Sequence, residues 1–152
     1  MKGVTALEAR QEILDAINDL FVGTDERDWD RVSAVLAPQV RFDMKSLTGA
    51  EPATLSSSEI IAGWEEGLRP LEAVHHQTGN FRVRVDDDGG GAIAFCYAIA
   101  LHYRPNASGR NTRTFVGSYD FHLERTGGRW RIDLFRFNLK YVDGNLELEK
   151  GS

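Results

Sequence analysis

The chain has 152 residues, of which 41% are hydrophobic and 27% are charged, so it is long enough for one domain with its own core and too short for a separate cofactor domain. Its formal net charge is −5, and its 18 Lys and Arg are scattered along the sequence, which disfavours nucleic acid as a partner. The single Cys96 excludes an intrachain disulfide, the start lacks the pattern of a signal peptide, and the longest apolar run, Ala92–Leu101, is about half the length of a membrane-spanning helix. We therefore expect a cytoplasmic protein without a membrane partner, folded as a single domain over residues 1–152.

A first helix is predicted over Ala6–Val22. Thr5 followed three residues later by Glu8 has the spacing of a capping box, in which each side chain satisfies a backbone N–H of the first turn. The apolar residues that follow recur at the period of a helix and form one stripe. Gly23 is predicted to end this helix.

A second, shorter helix and a first strand follow. Asp28 can cap a helix over Trp29–Leu36, and Pro38 is predicted to stop it. The period of the apolar residues then changes to two over Val40–Met44, which predicts a strand.

The remainder is predicted to be one more helix and then a sheet. After a Ser/Pro/Gly-rich loop that runs to Ser57, Ser56 with Glu59 repeats the capping-box spacing and opens a helix to about Leu68. From His75 onward, four runs rich in β-branched and aromatic residues are separated by three turn-rich stretches, which predicts an antiparallel meander. The turn-rich stretches are Asp86–Gly91, Pro105–Asn111 and Thr126–Gly128. Helices followed by a curved antiparallel sheet indicate an α+β fold.

The run from Gly91 to Arg104 has two unlike faces. One face carries small residues and ends in a histidine, namely Ala94, Cys96, Ala98, Ala100 and His102. The other carries large apolar residues, namely Ile93, Phe95, Tyr97, Ile99, Leu101 and Tyr103. We expect the small face to line a cavity and the large face to be covered by another subunit.

A pair of histidines is predicted across the hairpin that turns at Asp86–Gly91. Residues directly opposed in that hairpin have numbers that sum to about 177 or 178, so His102 is expected to face either His75 or His76. The choice depends on whether the loop holds an odd or an even number of residues, and a bulge would exchange the two. Both alternatives stay open on this reasoning.

Two neighbouring stretches resemble a known family. Asp25–Arg31, continued by Leu36–Asp43, closely resembles scytalone dehydratase, a member of the nuclear-transport-factor-2-like (SnoaL-like) superfamily, and the likeness can be followed through Trp130 to near Asn145. The resemblance implies a cone-shaped α+β barrel of the kind also called cystatin-like, in which a strongly curved, antiparallel or mixed sheet wraps around the N-terminal helices. It implies assembly as a homodimer or homotrimer, for which the large apolar face of Gly91–Arg104 is the expected contact. It also implies a catalytic set in which an Asp in the loop after the first helix orients one His and a second His completes proton transfer. Asp25, His76 and His102 match those positions, so the resemblance prefers His76 over His75.

The resemblance also supplies a set of substrate-binding positions, with departures from the family. Two tyrosines that hold a water in scytalone dehydratase correspond to Thr24 and Met44, and a pocket Ser and Asn correspond to Gly117 and Tyr119. The C-terminal segment that closes the family's pocket is expected to be absent. The implied substrate-binding residues are Thr24, Met44, Leu47, Trp64, Ala100, Gly117, Tyr119, Phe135 and Phe137.

The function expected from these residues is removal of water from a small hydroxy-carbonyl or polyketide-like compound, without a cofactor and without a metal. His76, held by Asp25, would take the proton next to the carbonyl, and either it or His102 would protonate the departing hydroxyl. Tyr119, Thr24 or an ordered water would stabilise the enolate oxygen. The alternatives are a polyketide cyclase or ketosteroid-type isomerase, a non-catalytic small-molecule-binding or assembly domain, and the small subunit of a ring-hydroxylating dioxygenase.

Overall fold

The structure, a computed structural model, describes residues 5–105 and 108–150. The helices are α1 (Ala6–Glu26), α2 (Trp29–Val35), α3 (Lys45–Thr48) and α4 (Ser57–Leu68), and a short 3-10 turn occupies Leu148–Lys150. The strands are β1 (Leu36–Asp43), β2 (Ala53–Ser56), β3 (Ala73–Val85), β4 (Gly91–Tyr103), β5 (Thr112–Thr126) and β6 (Arg129–Gly144). Asn106 and Ala107, inside the predicted turn Pro105–Asn111, lie outside the described residues.

The six strands form one sheet in the order β2-β1-β6-β5-β4-β3. Strands β3 to β6 make the predicted antiparallel meander, whereas β1 pairs in parallel with β6 and antiparallel with β2. The α+β class and the mixed, curved sheet are therefore confirmed. The sheet is open and not a closed barrel, since β2 and β3 form its two edges.

The core lies between the N-terminal helices and one face of this sheet. Ile13, Ile17 and Leu20 of α1 are fully buried, as are Leu123 of β5 and Ile132 of β6. Their burial follows from the helical stripe meeting a strand face that is apolar at every second position. Across residues 5–105 and 108–150, no helix combines the length and the apolar character needed to cross a membrane.

Helix α1 begins as predicted but runs one turn further. The capping box between Thr5 and Glu8 is present, whereas the helix ends at Arg27, whose φ of 57° places it in the left-handed region. Gly23 is inside the helix because α2 packs against it there. A Cβ at this position would lie 2.9 Å from Val32 Cγ2, so the glycine permits close approach of the two helices and does not end the first.

The segment after α2 contains more regular structure than predicted. Asp28 caps α2 as expected by accepting from the backbone of Arg31 at 3.2 Å. Strand β1 starts already at Leu36, and Pro38 lies inside it, at the point where the pairing with β6 shifts register. A proline is tolerated there because it has no ladder hydrogen bond to lose. The predicted loop to Ser57 holds α3 and the edge strand β2.

The two faces of β4 differ in burial as the sequence indicates. The alanines and Cys96 are buried, whereas Ile93, Tyr97 and Ile99 are 46%, 45% and 43% exposed and their neighbour Leu101 is 42% exposed. The small residues therefore face the helices, and the large residues form an apolar outer face of the sheet.

The prediction that His102 lies directly opposite a histidine is wrong. In the structure His102 pairs with Val74, and His76 pairs with Ala100. A β-bulge causes the difference, because two residues of β3, Asn80 and its neighbour, lie opposite a single residue of β4. Asn80 has a φ of 55°, which asparagine tolerates better than most residues. His76 and His102 consequently lie on one face of the sheet as diagonal neighbours.

Candidate active site

A carboxylate and an imidazole form the centre of the site. Asp25 Oδ1 accepts from His76 Nδ1 at 2.6 Å, and its second oxygen, Oδ2, accepts from the backbone N–H of His76 at 2.7 Å. The two side chains are only 15% and 12% exposed. Because the carboxylate holds the proton on Nδ1, the neutral ring keeps its lone pair on Nε2. This geometry makes His76 Nε2 a proton acceptor.

The extra turn of α1 explains how Asp25 reaches β3. The resemblance expects this residue in a loop, but it lies in the last helical turn, over the strand that carries His76. Arg27, which ends the helix, donates to the carbonyl oxygens of Leu68 at 3.0 Å and Leu71 at 2.6 Å. These bonds tie the end of α1 to the connection between α4 and β3, and so fix the carboxylate relative to the imidazole.

His102 has a different environment from His76. Its Nδ1 lies 3.1 Å from Nη2 of Arg113, and its ring meets Phe115 edge to face at 5.1 Å. Burial is the main cause that lowers the pKa of His102 from 6.5 to about 4, followed by the charges of Arg113 and His76, while Glu149 and Asp25 oppose the shift. The imidazole is therefore uncharged at neutral pH.

Both histidines line one cavity of about 160 Å³ under the sheet. The wall is mostly aromatic and aliphatic, and it contains all but one of the predicted substrate-binding residues. The lining residues are Leu20, Phe21, Thr24, Met44, Leu47, Trp64, Leu68, His76, Ala100, His102, Phe115, Tyr119, Phe135 and Phe137.

Some wall residues were absent from the sequence-based prediction. Leu20 and Phe21 stand one helical turn before Thr24 and Asp25, so the period of α1 was a usable signal for them. Arg113, beside the cavity, was also missed. The turn Pro105–Asn111 is centred near residue 108, and the pairing rule applied there would have placed His102 opposite a residue near 113, as observed.

Gly117 is the predicted substrate-binding residue that does not line the cavity. A Cβ at this position would lie 2.2 Å from the carbonyl oxygen of Asn138 and 3.0 Å from the ring of Phe137. The glycine thus permits close contact between β5 and β6, at a point where their pairing shifts register.

The polar groups at the wall differ in what they can donate. The Thr24 hydroxyl donates to the Leu20 carbonyl oxygen at 2.7 Å, so its proton is already engaged, contrary to the expected role at an enolate oxygen. The Tyr119 hydroxyl has no hydrogen-bond partner within residues 5–105 and 108–150, and burial raises its pKa, so it stays protonated. Tyr119 is therefore available as a donor.

Two further groups carry reactive atoms without joining the cavity. Burial raises the pKa of the Cys96 thiol to about 12, which keeps it in the unreactive protonated form. His122 forms a second carboxylate–imidazole pair with Asp133, at 2.6 Å, but on the outer face of the sheet. Within the described ranges, no three or more His, Cys, Asp or Glu side chains form a group that could hold a metal ion.

A curved, mixed sheet packed over N-terminal helices, with a small apolar cavity between the helices and the sheet, is the architecture of the nuclear-transport-factor-2-like class. Within this class, the chain belongs to the SnoaL-like domain family, whose sequence model matches residues 5–136. A curated relative, an uncharacterized protein of Mycobacterium tuberculosis, is 27% identical over 133 residues, which cover 87% of this chain and 86% of the relative.

Solved structures with different names share this fold. A protein of Kribbella flavida is 24% identical with a TM-score of 0.89, covering 97% of this chain and 100% of that one. A candidate scytalone dehydratase of Novosphingobium aromaticivorans is 13% identical with a TM-score of 0.78, covering 91% and 89%. A hexachlorocyclohexane dehydrochlorinase of Novosphingobium barchaimii is 14% identical with a TM-score of 0.73, covering 92% of each chain. At these identities the likeness shows the fold alone, and scytalone dehydratase is one of several kinds of neighbour.

Proposed function

We propose that this protein is a cofactor-independent lyase of the dehydratase type, acting on a small hydroxy-carbonyl compound. The observation that carries the proposal is the 2.6 Å bond from His76 Nδ1 to Asp25, which leaves the opposite ring nitrogen as a base at the wall of an apolar cavity. Two structural neighbours named for loss of water and for loss of hydrogen chloride support a reaction that removes a proton and a leaving group.

The proposed reaction needs one base, which works twice. His76 Nε2 takes the proton from the carbon next to the carbonyl, and the electron pair of that C–H bond moves to form an enolate. Asp25 stabilises the imidazolium that results. When the enolate collapses, the carbonyl re-forms, a C=C bond forms to the next carbon, and the C–OH bond there breaks. The departing hydroxide takes the proton back from His76 Nε2, so that the products are an unsaturated carbonyl compound, water and the neutral imidazole.

The enolate oxygen requires hydrogen-bond donors. Tyr119 and His102 both line the cavity. Burial raises the pKa of Tyr119, so its hydroxyl keeps its proton at neutral pH. Burial and the charge of Arg113 lower the pKa of His102, so its ring is neutral and carries one N–H. Donors held in a water-poor site stabilise a developing oxyanion strongly, and removal of one such donor typically lowers kcat about 10²–10³-fold. We assign this role to these two residues and not to Thr24, whose proton is engaged in the helix.

The size of the cavity limits the substrate. A cavity of about 160 Å³ holds a molecule with about one six-membered ring, since apolar cavities of about 150 Å³ bind benzene. Ligands of three or four fused rings need pockets toward the larger end of about 300–1,000 Å³. The volume therefore favours a small hydroxy-carbonyl substrate over the polycyclic substrate of a polyketide cyclase or steroid isomerase.

The test compares two adjacent histidines. Purified protein is incubated with a panel of β-hydroxy ketones that carry at most one ring, and the conjugated product is followed by ultraviolet absorbance. His76→Ala is expected to abolish turnover. His75→Ala removes an exposed ring that bonds to Gln77, so it is the matched control and should retain turnover. Both variants should remain within about 2 kcal/mol of the parent in stability.

The outcomes separate the lyase from its competitors. Turnover that survives in His76→Ala would refute the assigned base. Binding of panel compounds without product at any pH would favour the non-catalytic binding domain, and the same panel then yields dissociation constants by calorimetry.

A further inference from the structure

The hydrogen bond to His102 determines where that ring carries its proton. Arg113 lies directly opposite His102 in the pairing of β4 with β5, and its Nη2 is 3.1 Å from His102 Nδ1. A guanidinium group has only donors, so Nδ1 must accept and therefore carries no hydrogen. The proton of the neutral ring is consequently on Nε2, the nitrogen without a partner in the described part of the chain.

The two imidazoles at the cavity wall are thus held in opposite tautomers. Asp25, a pure acceptor, places the proton of His76 on Nδ1. Arg113, a pure donor, places the proton of His102 on Nε2. One ring therefore offers a lone pair to a ligand and the other offers an N–H.

The C-terminal residues hold Arg113 in place. Nη1 of Arg113 contacts Glu149 Oε2 at 2.6 Å and the carbonyl oxygen of Leu146 at 3.3 Å, and the guanidinium group lies 5.3 Å from the centre of the Phe115 ring. Its side chain is only 12% exposed. Three neighbours thus restrict the group that meets His102.

The same C-terminal segment is anchored in a small buried cluster that is separate from the main core. Leu148 is fully buried and packs with Leu71 and Val74, next to the cavity residue Leu68. Arg104 donates to the carbonyl oxygen of Leu148 at 3.4 Å. These residues do not line the cavity, but Leu148 packs behind the lining residue Leu68, and Glu149 supplies a partner for Arg113. The expected absence of a segment that closes the pocket stays a prediction.

We propose that Arg113, held by Glu149, is a positioning residue that fixes His102 as a neutral Nε2–H donor toward the substrate carbonyl oxygen. This inference rests on the proposed lyase function and assigns His102 a different role from the one expected from the sequence. His102 does not protonate the leaving hydroxyl as an imidazolium. Instead, it donates a hydrogen bond, and the enzyme selects substrates with an acceptor oxygen at that end of the cavity.

Imidazole NMR tests the tautomer without any substrate. In full-length protein labelled with ¹⁵N-histidine, we expect the parent to show His102 with an unprotonated Nδ1 and a protonated Nε2 at pH 7. The groups that act on its titration are Arg113 and His76, which disfavour the charged ring, and Glu149 and Asp25, which favour it. Signals of the four histidines are assigned by single substitutions.

Two variants are expected to shift the titration of His102 in opposite directions. Arg113→Met removes the donor and the positive charge, so His102 should titrate at higher pH and populate both tautomers. Glu149→Gln removes a negative charge that favours the charged ring, so His102 should titrate at lower pH. General unfolding would instead move the pKa of His102 toward its ordinary value of 6.5 in both variants. It would also break the hydrogen bond between His76 Nδ1 and Asp25.

The results distinguish this proposal from the proposed function. A proton on Nδ1 of His102 in the parent, or an unchanged titration in Arg113→Met, would overturn the positioning role whatever the protein catalyses. If the NMR result holds and the hydroxy-ketone panel gives no product, the lyase is refuted while the tautomer assignment remains. With an active substrate, Arg113→Met should lower kcat about 10²-fold while Arg113→Lys, which keeps the charge, recovers part of the loss.

Discussion

The low pKa of His102 predicts a specific dependence of stability on pH. Protonation of this ring is disfavoured in the folded protein, where the pKa is about 4, relative to the unfolded chain, where it is near 6.5. The unfolded state therefore binds the proton more readily as the pH falls, and folding loses stability from about pH 6.5 downward. At pH 7 the ring is neutral in both states and contributes almost nothing to this dependence.

The size of the effect follows from the two pKa values. Their separation corresponds to about 3 kcal/mol of stability lost by pH 4. This is a substantial share of the total free energy of unfolding of a domain, which is typically about 5–15 kcal/mol. With a urea m-value of about 2 kcal/mol/M, the unfolding midpoint would move by about 1.5 M from this ring alone.

The assay is urea unfolding at pH values from 7 to 4, followed by circular dichroism, for the parent and for His102→Asn. Asparagine keeps an oxygen acceptor near the position of Nδ1 for Arg113 but does not titrate. All other ionisable groups are common to both proteins, so the difference between the two pH profiles isolates the imidazole. The parent should lose about 3 kcal/mol more than the variant between pH 7 and pH 4. Parallel profiles would show that His102 is not held neutral by its surroundings.

Three further predictions concern other parts of the molecule. Asp25→Asn should lower turnover of any identified substrate about 10²–10⁴-fold, because the amide can offer an N–H to His76 and so hold the wrong tautomer; steady-state kinetics measure this, and near-parental rates would contradict it. Gly117→Ala should destabilise the protein by about 1–3 kcal/mol, because the added methyl group clashes with a backbone carbonyl. Gly63→Ala, in an open position of α4, should stabilise it by about 0.4–1 kcal/mol. Thermal unfolding compares the two variants, and equal melting temperatures would refute the clash. Light scattering should show a homodimer or homotrimer that Ile99→Glu dissociates, because a charge in the apolar outer face opposes its burial; a monomeric parent would refute the interface.

The capping residues and apolar periods were sufficient to predict most of the elements. Thr5, Asp28 and Ser56 each cap the helix that the sequence assigned to them, because a cap depends on residues within one turn. The predicted end of α1 was wrong because it depends on a contact beyond one turn of the chain. A glycine such as Gly23 is the residue typical of a helix end. Only its contact with Val32 of a different helix shows that it allows the two helices to pack closely.

The candidate site was partly accessible from the sequence. The pairing of Asp25 with His76 was reached through a family resemblance, since the hairpin alone left His75 and His76 as alternatives. The position of Arg113 opposite His102 was accessible from the turn Pro105–Asn111, but the tautomer of His102 also depends on how the guanidinium group is held, and Glu149 near the end of the chain holds it. Such long-range electrostatics are not encoded in any local pattern.

The bulge at Asn80 has a consequence for how chains of this kind diverge. Side chains alternate between the two faces along a strand. A change of one residue in the length of β3 before the hairpin therefore moves every preceding side chain to the opposite face of the sheet. Deletion of Asn80 would bring His75 to the cavity and move His76 to the outer face, with no change to any other residue that lines the cavity. Reagents that alkylate buried and exposed imidazoles at different rates would detect the exchange. An insertion or deletion four residues from His76 on the same strand can thus change which histidine faces the cavity in a single genetic event.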